Sequence, residues 1–263
     1  MRRALGPVSF SMWDEPGLLV DGFDLPPKVL MGHALPYYER LITGQGYQKA
    51  QDLIAYEMAI GPALAKGLER AMSRVKEKPD FQVRPIRSDR KHLDAEIALI
   101  LDILNDAWHD NWGYVPMTQA EVDEIASMFR VFLRPDAIVI AEYQGEAVGF
   151  SMMLPNVNEA LAGLGGRLLP FGVLKMLWRL KVRGVRSERM AMMGVRRKWW
   201  DSPVGATAAL LSIYGAKING MARGAERAEL SWILDSNERI KNLIAHFGAK
   251  IIKRYRIYEK TIA

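Results

Sequence analysis

The stretch GVRRKWWDSPVGATAALL, residues 194–211, decides the reading of this chain. An apolar strand ends in three consecutive cations, Arg196, Arg197 and Lys198. Trp199 and Trp200 follow, and Asp201-Ser202-Pro203 opens a helix. Ser202 suits the N-cap because its hydroxyl can accept from a first-turn amide, and Pro203 suits the first helical position, where its missing N–H costs nothing. A helix start exposes N–H groups and partial positive charge, which favours an anion. Val204, Gly205, Ala206 and Thr207 are therefore expected to offer amides, their small size permitting close approach. The same signals also fit a capped helix that binds nothing.

The basic character is concentrated around this turn. Ten cations and one anion, Glu188, lie between Arg167 and Lys198, a net +9 in a chain whose total is +6, which leaves the remainder near −3. Such a zone points to phosphates, nucleic acid or a lipid surface. Within it, Arg167 to Arg183 (RLLPFGVLKMLWRLKVR) alternates large apolar residues with cations. Leu174, Leu177, Trp178 and Leu180 can share one stripe while Lys175, Arg179, Lys181 and Arg183 fall off it, a pattern suited to a membrane interface. A core helix whose cations reach into solvent is the other reading. Ala160 to Trp178 is too interrupted, by Arg167, Pro170 and Lys175, to span a bilayer.

Cysteine is absent, which excludes disulfides, thiolate metal sites and cysteine nucleophiles and fits a reducing cytoplasm. The four histidines, His33, His92, His109 and His246, are not paired at ligand spacing, so no bound metal is expected. Met1-Arg2-Arg3 leads into a strand-like segment and shows no secretory signal. These features predict a cytoplasmic protein, peripheral to the inner membrane if residues 167–183 meet lipid.

Periodicity predicts strands at Arg2–Ser11 and Gln48–Met58, with a short helix at Tyr37–Thr43 between them. After residues 61–80, read as a linker helix, Phe81 to Arg87 alternates like a strand. A helix over Asp89–Asp106, a capping box at Thr118 and Glu121, and a hairpin through Gln144-Gly145-Glu146 follow. Helices at 168–183, 203–222 and 237–246 alternate with strands at 187–195, 226–233 and 249–259. This order predicts an α/β (α+β) fold, a mixed central sheet with helices on both faces. An internal echo runs from Tyr37-Tyr-Glu-Arg-Leu-Ile-Thr-Gly-Gln-Gly-Tyr to Arg239-Ile-Lys-Asn-Leu-Ile-Ala-His-Phe-Gly-Ala. Two copies of one unit, the first truncated, are its simplest account. The expected organisation is a partial unit at 1–60, a linker at 61–80 and a complete domain at 81–263.

The strand–loop–helix turn resembles that of the GNAT acyltransferase superfamily, whose members place the pyrophosphate of acyl-coenzyme A on such a corner. The resemblance covers residues 81–259. Asn105-Asp-Ala-Trp-His-Asp-Asn-Trp-Gly-Tyr-Val-Pro-Met-Thr118, Ala228-Glu-Leu-Ser-Trp-Ile-Leu-Asp-Ser-Asn237 and Tyr255-Arg-Ile-Tyr-Glu-Lys260 look like elements of a bacterial subgroup with tandem units. Relatives have Arg-Gly-x-Gly where this chain has Trp200-Asp201-Ser202-Pro203, and Asp201 would face a diphosphate with the wrong sign. The resemblance extends to acyltransferases that join a fatty acyl chain to a sphingoid base amine, forming ceramide.

It implies acyl-coenzyme A as co-substrate and an amine acceptor. Met193, Gly194, Val195, Arg196, Arg197, Ser202, Val204–Thr207 and Asn237 are the residues expected near the coenzyme. Tyr255 or Tyr258 is the expected acid, and alternation allows only one of them to face the site. Glu142, Glu229 and His109 are candidate bases. Three other readings stay open: an acetyltransferase for small molecules or peptides, a non-catalytic binding module, and, ranked last for want of a motif, a nucleic-acid binder. The sequence leaves the oligomeric state open and allows a homo-oligomer.

Overall fold

The computed structural model describes residues 2–9, 12–13, 15–60, 73, 79–132, 134–245 and 247–262. In chain order the elements begin β1 (Arg3–Gly6), β2 (Leu18–Asp21), α1 (Tyr38–Gly44), β3 (Gln48–Ala59), β4 (Phe81–Pro85), α2 (Leu93–Trp108) and α3 (Gln119–Phe132). They continue with β5 (Ile138–Tyr143), β6 (Glu146–Pro155), α4 (Val157–Leu161), α5 (Gly172–Trp178), a π-helical turn (Arg179–Arg183) and β7 (Ser187–Val195). A 3-10 turn (Arg197–Trp199), α6 (Pro203–Ala222), β8 (Arg227–Leu234), α7 (Glu238–Ala245) and β9 (Lys250–Thr261) complete the order. The mixed α/β class is as predicted. Strand β2, inside the turn-rich insertion, carries too short an apolar run to announce itself. The expected helix at 168–183 begins at Gly172 and changes to π-helical geometry at Arg179. Apart from Ser73 and residues 79–80, the expected linker helix lies outside the described residues, as does His246.

Two compact units interleave along the chain: Met1–Ala59, Pro155–Arg189 and Glu226–Ala263 form the first, and Ile60–Leu154 with Met190–Ala225 the second. In the first, strands run in the order β1-β9-β3-β8, and β2 also pairs β9. Leu53 on β3 lies opposite Tyr255 on one side and Leu234 on the other. Around it Leu19, Ile54, Ala55, Ile257 and Tyr258 are buried.

In the second unit the order is β7-β6-β5-β4. The β5–β6 hairpin turns through Gln144 and Gly145, both at positive φ (50° and 81°), the geometry of a two-residue turn that matches strand twist. Helix α6 covers this sheet, packing Ala208 and Leu211 on Ala141 and Val148. Thr118 and Glu121 form the predicted capping box, with the Glu121 carboxylate accepting from the Thr118 N–H at 2.7 Å.

Candidate active site

The turn that joins β7 to α6, in the second unit, is built as the sequence says but caps most of its own amides, while the Trp199 indole N–H is buried without a partner. Ser202 is the N-cap, its Oγ accepting from the Gly205 N–H at 3.1 Å and donating to the Trp199 carbonyl at 2.6 Å. Gly205 is required here, because a Cβ would lie 2.1 Å from the Trp199 carbonyl oxygen. Ala206 N–H donates to Ser202 O at 3.1 Å, and Thr207, one residue deeper, belongs to the helical ladder. Pro203 has no N–H. Of the first-turn amides only Val204 is left to a ligand, not the four-amide cradle the sequence suggests.

Nor are the three cations spare. Arg196 pairs with Asp102 at 2.7 Å and donates to Ala147 O at 2.9 Å. The Arg197 backbone N–H donates to Asp106 at 2.6 Å and its guanidinium to Asp110 at 2.7 Å, while Lys198 meets Glu146 at 2.6 Å. Asp102, Asp106 and Asp110 recur every fourth residue, the spacing that lines one face of a helix. His109 is exposed, its Nδ1 2.7 Å from Asp110. Asp201, at φ +57°, holds a left-handed conformation that aspartate tolerates better than most residues.

Two indoles complete the turn. Trp108 Nε1 donates to Met193 O at 2.9 Å and Trp200 Nε1 to Val195 O at 2.8 Å. Arg196 N–H donates to Val148 O on β6, so alternation turns the Met193 and Val195 carbonyls to the opposite edge of β7. The acceptors a strand-like ligand would use are held by tryptophans. Trp199 instead packs under α6, its ring 5.5 Å from that of Tyr143.

The first unit holds a different kind of cluster. Glu229, Lys253 and Tyr255 are each 1% exposed, and Arg189 and Ser231 4%. Residues two apart on a strand share a face, which sets Glu229 with Ser231 on β8 and Lys253 with Tyr255 on β9. Ser231 Oγ donates to Glu229 Oε1 at 2.7 Å, and Arg189 Nε donates to Ser231 Oγ at 2.9 Å. The segment between β2 and α1 roofs the cluster: Leu25 O accepts from Lys253, and Val29 O and Leu30 O accept from Arg189 at 3.2 and 3.4 Å. That segment enters through Gly22, at φ +85°, where a Cβ would lie 2.2 Å from Ile252 O.

Burial governs the titration of this cluster. It raises the Glu229 carboxyl above its ordinary range, against the pull of Ser231, Arg189, Lys28 and Lys253. It lowers Arg189 to about 10 and lowers Lys253. Burial, reinforced by the Glu229 charge, raises Tyr255, whose phenol therefore keeps its proton. Glu229 Oε2 and Tyr255 Oη are buried with no protein partner. Buried polar atoms are normally satisfied, and each orphan costs about 1–3 kcal/mol. Two of them beside a carboxylate of raised pKa mark a built site. Chemically, Glu229 is placed to take up a proton and Tyr255 to donate a hydrogen bond.

The other candidates have structural work. Tyr258, on the opposite phase of β9, donates to Glu39 at 2.8 Å. Glu142 accepts from Arg84 Nε at 2.7 Å. Asn237 Oδ1 accepts from the Ile240 N–H at 3.2 Å, a helix cap. Glu229 and Tyr255 thus lie in the same buried cluster of the first unit, whereas Glu142, His109 and the β7–α6 turn belong to the second. Sequence reasoning missed Arg189, Ser231 and Lys253. The available signal was a charged or polar residue on the inward phase of an apolar strand, as in Ile251-Ile-Lys-Arg-Tyr.

The chain is 41% identical over 260 residues to the bacterial ceramide synthase of Caulobacter vibrioides (strain NA1000 / CB15N), covering 99% of this chain and 67% of that protein. It belongs to the bacterial ceramide synthase family. A second relative, protein YghO of Escherichia coli (strain K12), is 38% identical over 262 residues, 98% of this chain and 65% of that protein. The chain therefore spans about two thirds of the length of both relatives. No protein-family model matches it. A GCN5-related N-acetyltransferase of Sphaerobacter thermophilus superposes with a TM-score of 0.53 at 15% identity, covering 89% of this chain and 57% of that one. The chain has the GNAT fold, and the family to which it belongs is one of acyltransferases.

Proposed function

We propose that this chain transfers an acyl group from acyl-coenzyme A to a primary amine, and that the acyl group is long and the amine that of a sphingoid base, giving ceramide. The observation that carries the reading is the buried cluster of Glu229 and Tyr255, each with one oxygen unpartnered, in a chain 41% identical to a bacterial ceramide synthase. In the reaction the amine nitrogen attacks the thioester carbonyl carbon, a C–N bond forms and the C–S bond breaks. One proton leaves nitrogen and one ends on sulfur. Glu229, its carboxyl raised by burial, takes the proton from nitrogen. Tyr255 stays protonated and donates a hydrogen bond to the oxygen or sulfur on which negative charge develops, and the proton taken up by Glu229 is then passed to the leaving thiolate, which regenerates the carboxylate.

Within the second unit, a phosphate group meets the β7–α6 turn through Val204 N–H and through Arg197 and Lys198. These two side chains are 39% and 55% exposed, and exposed ion pairs are worth about 0–1 kcal/mol, so exchanging a carboxylate for a phosphate costs little. Arg196, 18% exposed and bound to Ala147 O, stays in place. A second reading, a non-catalytic module of the same fold, is favoured by the self-satisfied amides of the turn.

Incubation with acetyl-, palmitoyl- and longer acyl-coenzyme A, with sphinganine or a small amine as acceptor, separates the readings. Free thiol together with N-acylated sphinganine from long chains alone is the expected outcome. Transfer from acetyl-coenzyme A alone makes the protein an acetyltransferase. Silence with every donor, where titration calorimetry still gives binding heat, leaves the non-catalytic module.

A further inference from the structure

The segment Arg167–Arg183 projects an apolar ridge that nothing in its unit covers. Leu169 is 82% exposed, Phe171 74%, Val182 71%, Leu174 64% and Trp178 53%. Phe171, Leu174, Trp178 and Val182 are spaced three, four and four residues apart, which stacks them on one side of α5 and its π-helical continuation. The inward side is made by Leu177 and Leu180, which are half-buried. The stripe that the sequence suggests is therefore split, with Leu174 and Trp178 facing out and Leu177 and Leu180 facing in. Arg179 clamps the base of the ridge, its Nη1 donating to Ala160 O and Ala162 O at 2.7 Å each.

The charge beside the ridge is uncompensated. Between Glu159 and Glu188 the sequence has no acidic residue. Glu159 itself is engaged with the Arg186 and Ser187 amides, and Arg186 with Glu226. Among the described residues, Arg167, Lys175, Lys181 and Arg183 pair with no carboxylate.

We infer that this ridge docks on a lipid bilayer that contains anionic headgroups, with Phe171, Leu174, Trp178 and Val182 entering the interface and the four free cations meeting phosphates. Charge complementarity selects this occupant. A second copy of the chain would set the same cations against one another, since a two-fold interface presents one patch to itself. Nucleic acid would satisfy the cations and leave the leucines in water. Among the described residues no helix is long and apolar enough to cross a membrane, so the contact is peripheral, and it holds whichever amine the protein acylates.

Flotation of the full chain with phosphatidylcholine vesicles, with and without phosphatidylglycerol, tests this. Binding is expected only with phosphatidylglycerol, weakening as salt is added, because each cation near an anionic surface contributes about five-fold in partitioning. Phe171→Ser with Trp178→Ser is expected to cut partitioning by a factor of about 100, from the loss of two buried aromatic side chains. Lys175→Glu with Lys181→Glu is expected to abolish the preference for phosphatidylglycerol. The four positions are exposed, so an unchanged circular-dichroism melt checks that each variant is folded. Three results would overturn the inference: no flotation with either vesicle, equal flotation of the Phe171/Trp178 variant and the parent, or light scattering showing a dimer that this variant disperses while vesicle binding is absent throughout.

Discussion

The turn at Arg196–Lys198 and the cluster around Glu229 are both charged, and they use charge in opposite ways. In the turn every cation has a carboxylate on a solvent-facing helix or hairpin, and the amides of the helix start are capped from within. Around Glu229 the cations are anchored to backbone carbonyls of a roofing segment, and two acceptor or donor oxygens are left without a partner. The first arrangement is stable and exchangeable. The second is fixed and incomplete, and an incomplete buried site is where a substrate's polar atoms are worth most. Density of charge along a sequence marks the former as readily as the latter; it is the unpartnered carboxylate and phenol oxygens, against a single unpartnered indole N–H of Trp199 in the turn, that separate them.

Glu229→Gln is the substitution that puts the contrast at greatest risk. Acyl transfer should fall by a factor of about 10²–10⁴, the range for removing a general base, while the melting temperature holds or rises, since a buried charge is removed. The pH profile carries the same information. A base must be deprotonated to act, so kcat should climb with pH through a carboxyl value raised above 4.5, whereas a Gln variant should show no such limb. Stability runs the other way. A carboxyl whose folded value is raised favours the fold most when protonated, so the parent's melting temperature should drop as pH rises from 4.5 through the folded value, and the variant's should lack that drop.

Smaller effects are expected in the turn. Gly205→Ala forces a methyl group 2.1 Å from the Trp199 carbonyl, and urea denaturation should register a loss of about 3 kcal/mol. Arg197→Ala should raise KM for the acyl donor by roughly ten-fold and leave kcat unchanged, the signature of a group that only binds. Were Arg197→Ala to abolish kcat, or Glu229→Gln to spare it, the division of labour drawn between the two regions would be wrong. Ser202→Ala, which frees the Gly205 N–H, should cost about 1 kcal/mol in stability. It should also lower KM slightly if a diphosphate then takes the amide.

Much of this architecture was legible because the clues are local. Ser202-Pro203 fixes the start of α6, Thr118 with Glu121 fixes that of α3, and Gln144-Gly145 fixes the hairpin. What was not legible depends on partners distant in sequence. Asp102, Asp106 and Asp110 read as an ordinary solvated helix face until the fold lays Arg196 and Arg197 on it. Lys253 reads as an exposed strand cation until the segment through Leu25 covers it. For the catalytic candidates, residue type supplied Glu229 and Tyr255 along with Tyr258, Glu142 and His109. Only the pairing of side chains distinguishes them: Glu39 takes the Tyr258 hydroxyl, Arg84 takes Glu142, and Asp110 takes His109.

The tryptophans on the outer carbonyls of β7 bear on selectivity. A guest lying along that strand would find both acceptors already served, one by Trp108 and one by Trp200. Its amides would replace an indole rather than answer an empty acceptor, so the tally of hydrogen bonds would be the same before and after. Polar contact along this edge would then set the guest's alignment and contribute little to its retention. Discrimination between a short donor and a long one would rest on the hydrocarbon tail alone.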